Sequence, residues 1–292
     1  MIDKLIKAIN NPALALHVVH RNLLKFFRSK KFVGSEKNRS ESDTGHYVAF
    51  VEEAVRDYRI FKGFKRNPIY TDVLEHVSRA QGQEYLEIIK NEAHDLLGML
   101  DKLKINDEVG SPLLYEYPDV GWISPTTLRY IKVAADIRNL FGDLALARIA
   151  EIGVGYGGQF LILDQLYRMR YFLYDLPPVL EFASKYLESH ILNSSYEAIT
   201  LNQYDGVGEY DLVISNYAFS ELPRQLQQKY IEKIIYKSKR GYLTMNSGLP
   251  NSVFKNNKMT IDELRKHLPE FEILEERPNT TPGNYIIVWG HK

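Results

Sequence analysis

The chain has 292 residues, 45% of them hydrophobic and 25% charged, with no cysteine and 37 basic against 37 acidic side chains. Such a composition buries a sizeable core, and at roughly 100 to 200 residues per domain it makes one large domain or one domain with an appendage. Lack of cysteine excludes disulfides, thiolate nucleophiles, cysteine-ligated zinc and iron–sulfur clusters, and zero net charge argues against general nucleic-acid binding, which needs surplus Lys and Arg.

The zero is a sum of unequal parts. Residues 1–40 carry nine basic side chains against Asp3 and Glu36, a net +7, which leaves −7 on the remainder. Leu5, Ile6 and Ile9 precede Pro12, and Leu14, Leu16, Val18, Val19, Leu23, Leu24, Phe26 and Phe27 follow it, a pattern of two short apolar helices turning basic at Lys30 and Lys31. His17, His20 and Arg21 interrupt the apolar run, so it is too short to span a bilayer, and no small-residue cleavage site marks a signal peptide. Two readings stay open: an interfacial arm that meets anionic lipid or a partner, or a helical arm packed on its own domain. The expected location is cytoplasmic, peripheral to the inner membrane in the first reading.

Residues 34–45, GSEKNRSESDTG, read as a linker. From His46 to about Lys104 apolar residues recur at three-to-four spacing, as in Phe50, Val51, Ala54, Val55 and again in Leu86, Ile89, Leu96, Leu97, Leu100, which predicts helices. Residues 105–121 hold Gly110, Pro112, Pro118 and Gly121 and read as a connecting loop; a helix is expected from Ser124, with Pro125 just inside it, to Leu140. The period then changes. Strand-like runs at 149–152, 171–174, 198–201, 212–215 and 242–245 alternate with helical patterns at 158–169, 177–190 and 223–237, which implies parallel strands covered by helices on both faces. Runs at 271–274 and 285–288 have no helix between them and predict a terminal antiparallel pair. The chain thus divides into a basic arm and linker at 1–45, a helical substrate or cap region at 46–141 and an α/β domain at 142–292.

The densest signal is ARIAEIGVGYGGQ, from Ala147 to Gln159: a strand ends at Glu151, Gly153, Gly155, Gly157 and Gly158 follow, and a helix begins. Glycines there take positive φ and let a ligand approach the backbone, while the helix N–H groups attract negative charge. Gly153, Gly155 and Gly158 also satisfy the dinucleotide pattern, with Asp175 about 20 residues on for a ribose. Glu151, however, places a carboxylate where a pyrophosphate would be repelled and an ammonium group welcomed, which favours S-adenosylmethionine (SAM) over NAD. Asp175 suits ribose hydroxyls in either reading, and capping the helix at Pro177 is an equally simple role for it.

EIGVGYGGQ, YDLPPVLEFASKYL and YDLVISNYAFSELPRQLQQKYIEKII together resemble class I SAM-dependent methyltransferases, specifically the sugar O-methyltransferases associated with bacterial surface polysaccharides. FKGFKRNPIYTDVLEHV and VGSPLLYEYPDVGWISPTTLRYI extend the resemblance upstream, so that it covers roughly residues 45–290. It implies a Rossmann-like, seven-stranded, mostly parallel sheet, a helical N-terminal substrate region, SAM as cofactor and methyl transfer to a sugar hydroxyl of a glycan or its precursor. It further implies SAM contacts from Glu151, Gly153, Gly155 and Gly157, ribose binding by Asp175, Leu176 against the adenine, and Tyr204 or Asp205 at the adenine amino group or face. Ser215 and Asn216 would sit beside the methionine part and Tyr217 toward the substrate, with Ser124, Thr126, Thr127 and Arg129 over the SAM carboxylate.

Methyl transfer from a sulfonium is an in-line displacement, to which alignment contributes about 7 to 11 kcal/mol. A sugar hydroxyl also needs a base, worth ~10² to 10⁴-fold. Glu221, after the fourth strand of the α/β domain, is the candidate, with a helix-capping role as its plain alternative; His46 and His76 are further candidates. The DLPPV element is also similar to small-molecule O-methyltransferases that place a catalytic His after this strand, where the present sequence has Phe219, Ser220 and Glu221. No cluster there has metal-ligand spacing, so metal-independent activity is expected. Arg66 offers a planar fork to an anionic glycan, Tyr70 and Tyr217 offer rings and hydroxyls to a sugar, and Asn246 ends the fifth strand on the acceptor side. Three alternatives remain: a phenolic or polyketide-like methyl acceptor, an NAD-linked oxidoreductase, and an inactive SAM-binding subunit of a glycan-assembly complex recruited through residues 1–33.

Overall fold

The computed structural model describes residues 45–204, 206, 208–246 and 258–291. The basic arm and all but the last residue of the linker lie outside these residues. The N-terminal part is helical: α1 His46–Arg56, α2 Tyr58–Lys62, α3 Pro68–Thr71, α4 Arg79–Glu92 and α5 Leu100–Leu103. Its helix starts follow local chemistry. Ser78 and Gln81 form a reciprocal capping box at α4, and Asn67 accepts the Ile69 N–H with Pro68 at the first position of α3. Between α5 and the next long helix, the region expected to be a plain loop contains a two-stranded ribbon, β1 Tyr115–Tyr117 and β2 Gly121–Ile123. The turn there uses Asp119 at φ 69° and Gly121 at φ 72°, so the residues that read as breakers serve to reverse the chain.

Helix α6, Pro125–Phe141, starts with the Ser124 hydroxyl accepting the Thr126 N–H and stops at Gly142, φ 78°. The α/β part follows: β3 Arg148–Ile152, α7 Gly158–Leu166, β4 Arg170–Tyr174, α8 Pro177–Leu187, β5 Ser195–Ile199, β6 Leu212–Asn216, α9 Ala218–Glu221, α10 Arg224–Lys233, β7 Gly241–Met245, α11 Ile261–His267, β8 Glu272–Glu275 and β9 Tyr285–Trp289. The sheet order is β5-β4-β3-β6-β7-β9-β8, with β9 antiparallel to both its neighbours and the other pairs parallel. This is the expected Rossmann-like sheet of seven strands. The last two strands form the expected antiparallel pair, with β9 inserted between β7 and β8. Strand β5 begins three residues earlier than its apolar run because the buried Asp164 carboxylate accepts the Asn193 and Ser194 N–H groups, and the Ser194 hydroxyl accepts that of Met169.

Alternation along β3 shows the two-faced packing. Ile149 joins one core with Phe160 of α7 and Phe182 of α8, whereas Ala150 and Ile152 join the other with Ile231 of α10 and Leu264 of α11. The first core continues without a break into Phe50, Phe64, Leu86 and Ile131, so residues 46–141 and the sheet share one interior. Lys185 of α8 reinforces the union: its ammonium donates to the Ala54 and Val55 carbonyls at 3.1 and 2.6 Å, at the C-terminal end of α1 where a cation is favoured.

Candidate active site

The strands diverge from β3 and β6, leading to β4–β5 on one side and to β7 on the other. The crevice beyond the C-terminal ends of such strands is where doubly wound sheets hold ligands. The glycine loop leaves β3 at that point. Gly153, Gly155 and Gly157 have φ of 78°, 55° and 87°. A Cβ at Gly153 would lie 1.9 Å from that of Ala218, and one at Gly155 would lie 2.6 Å from Leu74 Cδ1. Asp175, at the end of β4, folds over the loop: its carboxylate accepts the Val154 N–H at 2.8 Å and the Leu176 N–H at 2.7 Å. Burial pushes its pKa up to about 6 against the opposing pull of the Leu176, Val154 and Gly155 N–H groups. Glu151 is 2% exposed and accepts the Tyr171 hydroxyl at 2.9 Å. Burial pushes it up to about 8; Tyr171 counters this and the Asp175 charge adds to it.

A small cavity of about 20 Å³, room for one water, adjoins the ends of β6 and β7, with Tyr85 of α4, Arg129 of α6, Asn216, Tyr217, Thr244 and Glu276 in its wall. Asn216 turns its amide nitrogen to Gln159 of α7 at 3.4 Å, and its Oδ1 is buried without a partner. Arg129, 6% exposed, donates one bond, to the Leu74 carbonyl at 3.1 Å; among the described residues no carboxylate lies within salt-bridge distance of it. Tyr217 holds φ 69°, uncommon for a residue with a side chain and often a mark of function. Its hydroxyl donates to Glu276, which is 4% exposed.

The structure therefore gathers Glu151, Gly153, Gly155, Gly157, Asp175 and Leu176 at the loop, and Asn216 and Tyr217 in the cavity wall. Others are placed differently. The Ser215 hydroxyl donates to the Ile152 carbonyl at 2.8 Å and accepts the Phe219 N–H at 3.0 Å, so it ties β6 to β3. Thr127 donates to Asp107 at 2.6 Å and accepts from Asn106 at 2.7 Å within a buried network. Tyr70 is fully buried among Tyr47, Phe50, Phe64, Tyr156 and Phe182 as a core residue. Arg66 spends its guanidinium on the Ser111 and Pro112 carbonyls. Tyr204 packs edge-on to Tyr174 at 6.3 Å, and Asp205 lies outside the described residues. Glu221 accepts the Asn246 side-chain N–H at 2.9 Å, and neither lines the cavity.

Four groups carry no signal in the sequence. Glu276 sits in an acidic run that reads as surface, and Tyr85 on a helix face that reads as core. Glu75 keeps Oε1 buried without a partner, and burial raises its carboxyl, opposed by Lys65. Lys65, 1% exposed, donates to the Asn106 carbonyl and lies 4.4 Å from the ring centre of Tyr156 in the glycine loop; burial pulls it down to about 8. Among the described residues no three His, Asp or Glu cluster as metal ligands, and no helix is long and apolar enough to cross a membrane.

No family model and no curated protein matches the chain. Solved structures similar to it include a SAM-dependent methyltransferase from Clostridium acetobutylicum, 11% identical over 55% of this chain and 88% of that one, with a TM-score of 0.42. Another is the magnesium protoporphyrin IX methyltransferase of Synechocystis with bound SAM, 16% identical over 71% of this chain and 94% of that one, TM-score 0.40. The Rossmann-like fold itself is shown by the sheet order.

Proposed function

We propose that the chain is a SAM-dependent O-methyltransferase acting on a sugar hydroxyl of a bacterial surface polysaccharide or its precursor. The observation that carries the cofactor is the character of the groups around the loop. Glu151, Asp175 and the orphaned Asn216 Oδ1 are all acceptors, buried or half-buried at the switch point. Such a set suits a ligand with ammonium and sulfonium charge and repels a pyrophosphate, while Arg129 of the cavity wall, with no carboxylate at salt-bridge distance among the described residues, suits a carboxylate. The residues present thus fit SAM, which when bound supplies an electrophilic methyl group.

The chain's own contribution is to hold and orient. Asp175 presents a carboxylate to ribose hydroxyls, and the glycine backbone admits the ligand because Cβ atoms are missing. The cavity between α4, α6 and the ends of β6 and β7 has room for one water as it stands, so an acceptor enters only as these walls part, its ring then facing Tyr85 or Tyr217 and its hydroxyls Thr244 and Glu276. Support for a sugar rests on this mixture of aromatic faces and hydrogen-bonding groups, together with the quoted sequence motifs. Calorimetric titration with SAM and with NAD tests the cofactor: saturable SAM binding without NAD binding is expected, and the reverse would sink the reading. Transfer of labelled methyl from SAM to a surface-polysaccharide extract, located by mass spectrometry, tests the acceptor.

A further inference from the structure

We propose that Tyr217 and Glu276 form a proton relay for the acceptor hydroxyl. The proposal rests on the transferase reading above and deepens it. Both side chains line the cavity at the ends of β6 and β7, whose Asn216 reaches Gln159 just after the glycine loop, and the Tyr217 hydroxyl already donates to Glu276 Oε1. Glu276 is fixed from its other side. Thr280 donates its N–H to Oε2 at 2.8 Å and its hydroxyl lies 2.8 to 2.9 Å from both carboxylate oxygens, while Asn284 donates to that hydroxyl at 3.1 Å. No Lys, Arg or His among the described residues lies within salt-bridge distance of Glu276. The carboxylate is thus buried, held by neutral donors and, among the described residues, paired with no cation.

The backbone supports the same role. Tyr217 keeps a left-handed conformation at the end of β6, with its N–H on the Thr244 carbonyl at 2.9 Å, and this aims the ring back toward the cavity. Arg129 and Tyr130 of α6, Tyr85 of α4 and Tyr242 of β7 are the charged and titratable groups facing the pair. Burial holds the Tyr217 hydroxyl well above its ordinary value, Tyr85 and Glu276 add to this and Arg129 opposes it, so the hydroxyl hands on a proton only as it receives one and does not rest as a phenolate. The balance is simple. As the acceptor oxygen gains the methyl carbon, the carbon–sulfur bond of the donor breaks and its electron pair stays on sulfur. The acceptor proton passes to Tyr217 Oη, and the tyrosine's own proton passes to Glu276, which returns it to solvent after product leaves. Tyr217 is the catalytic residue; Glu276 acts through it and is a positioning residue.

Tyr217→Phe should lower kcat by about 10² to 10⁴-fold with SAM affinity within about twofold of wild type. Glu276→Gln should lower kcat similarly with the acceptor KM within about twofold of wild type, a split that a purely structural role would not give. Infrared difference spectra of the ligand-free protein give a readout independent of turnover: the Glu276 carboxyl band, identified by its loss in Glu276→Gln, should shift in Tyr217→Phe. Thermal melts check folding, and if Glu276→Gln fails to fold, Tyr217→Phe carries the test. Wild-type kcat in Tyr217→Phe, or an unshifted band, overturns the relay. Lost turnover in Glu221→Gln beside an active Tyr217→Phe also overturns it and assigns the base to Glu221. Wild-type protein that binds no SAM would instead strike at the transferase reading itself.

Discussion

Glu151→Gln isolates the electrostatics of the glycine loop. The carboxyl is buried beside β4, and its pKa stands at about 8 against 4.5 for an ordinary glutamate. A raised acid binds more protons in the folded than in the unfolded protein between those two values, so its contribution to stability is whole below about pH 4.5 and is lost as pH rises through 8. At ~1.4 kcal/mol per unit, the folded state forfeits about 3 kcal/mol by pH 7 and about 5 kcal/mol by pH 8, a large part of the 5 to 15 kcal/mol typical of a native protein. Glutamine keeps the shape and the acceptor for the Tyr171 hydroxyl but does not titrate. Asp175, raised to about 6, contributes its own fall between roughly pH 4 and 6 to both proteins and largely cancels in their difference. Denaturant unfolding at pH 4.5 to 9 should therefore show the variant gaining on wild type by about 1.4 kcal/mol per unit up to pH 8, then levelling. Parallel curves would refute the argument. The same carboxyl links to the ligand: an ammonium beside it favours ionisation, so SAM binding at pH 7 should release a proton from wild type and less from the variant. Calorimetry in two buffers of different ionisation enthalpy measures this.

Gly155→Val should weaken SAM binding at least tenfold with the circular dichroism spectrum retained, since φ 55° strains a β-branched residue and the first added carbon already meets Leu74 at 2.6 Å; unchanged affinity by calorimetry would move the ligand off this loop. Deleting residues 1–33, with their concentration of basic side chains, should reduce co-sedimentation with anionic vesicles, and equal sedimentation of both proteins would remove the membrane role of the arm. Excess chelator should leave methyl transfer unchanged; loss restored by magnesium would establish a metal requirement.

What the sequence made legible was local. The glycine loop, the acid that closes β3 and the aspartate that closes β4 are each announced within a dozen residues, because a strand that turns into a helix over a ligand needs those residue types in that order. The change of hydrophobic period likewise located nearly every strand and helix of the sheet domain. The cavity was not legible, because its wall is assembled across more than 190 positions, from Tyr85 to Glu276, and each contributor looks ordinary in its own segment. Glu276 follows Glu275 at the end of an edge strand, where acids are usually solvated, yet it is 4% exposed and accepts the Thr280 N–H and the Tyr217 hydroxyl. Tyr70 and Arg66 failed for the complementary reason. An aromatic ring and a guanidinium have many uses, and here the core and the 111–112 turn claim them first. Ser215 shows the same competition at closer range, since the strand end that brings it to the crevice also needs its hydroxyl to hold β6 against β3. The charge balance follows this division too. The basic surplus lies in the arm, while the acidic surplus of the remainder includes the buried or half-buried carboxyls Glu75, Glu151, Asp175 and Glu276, which crowd the loop and the cavity and whose burial is tolerable if their partner is a cationic ligand or a proton in transit.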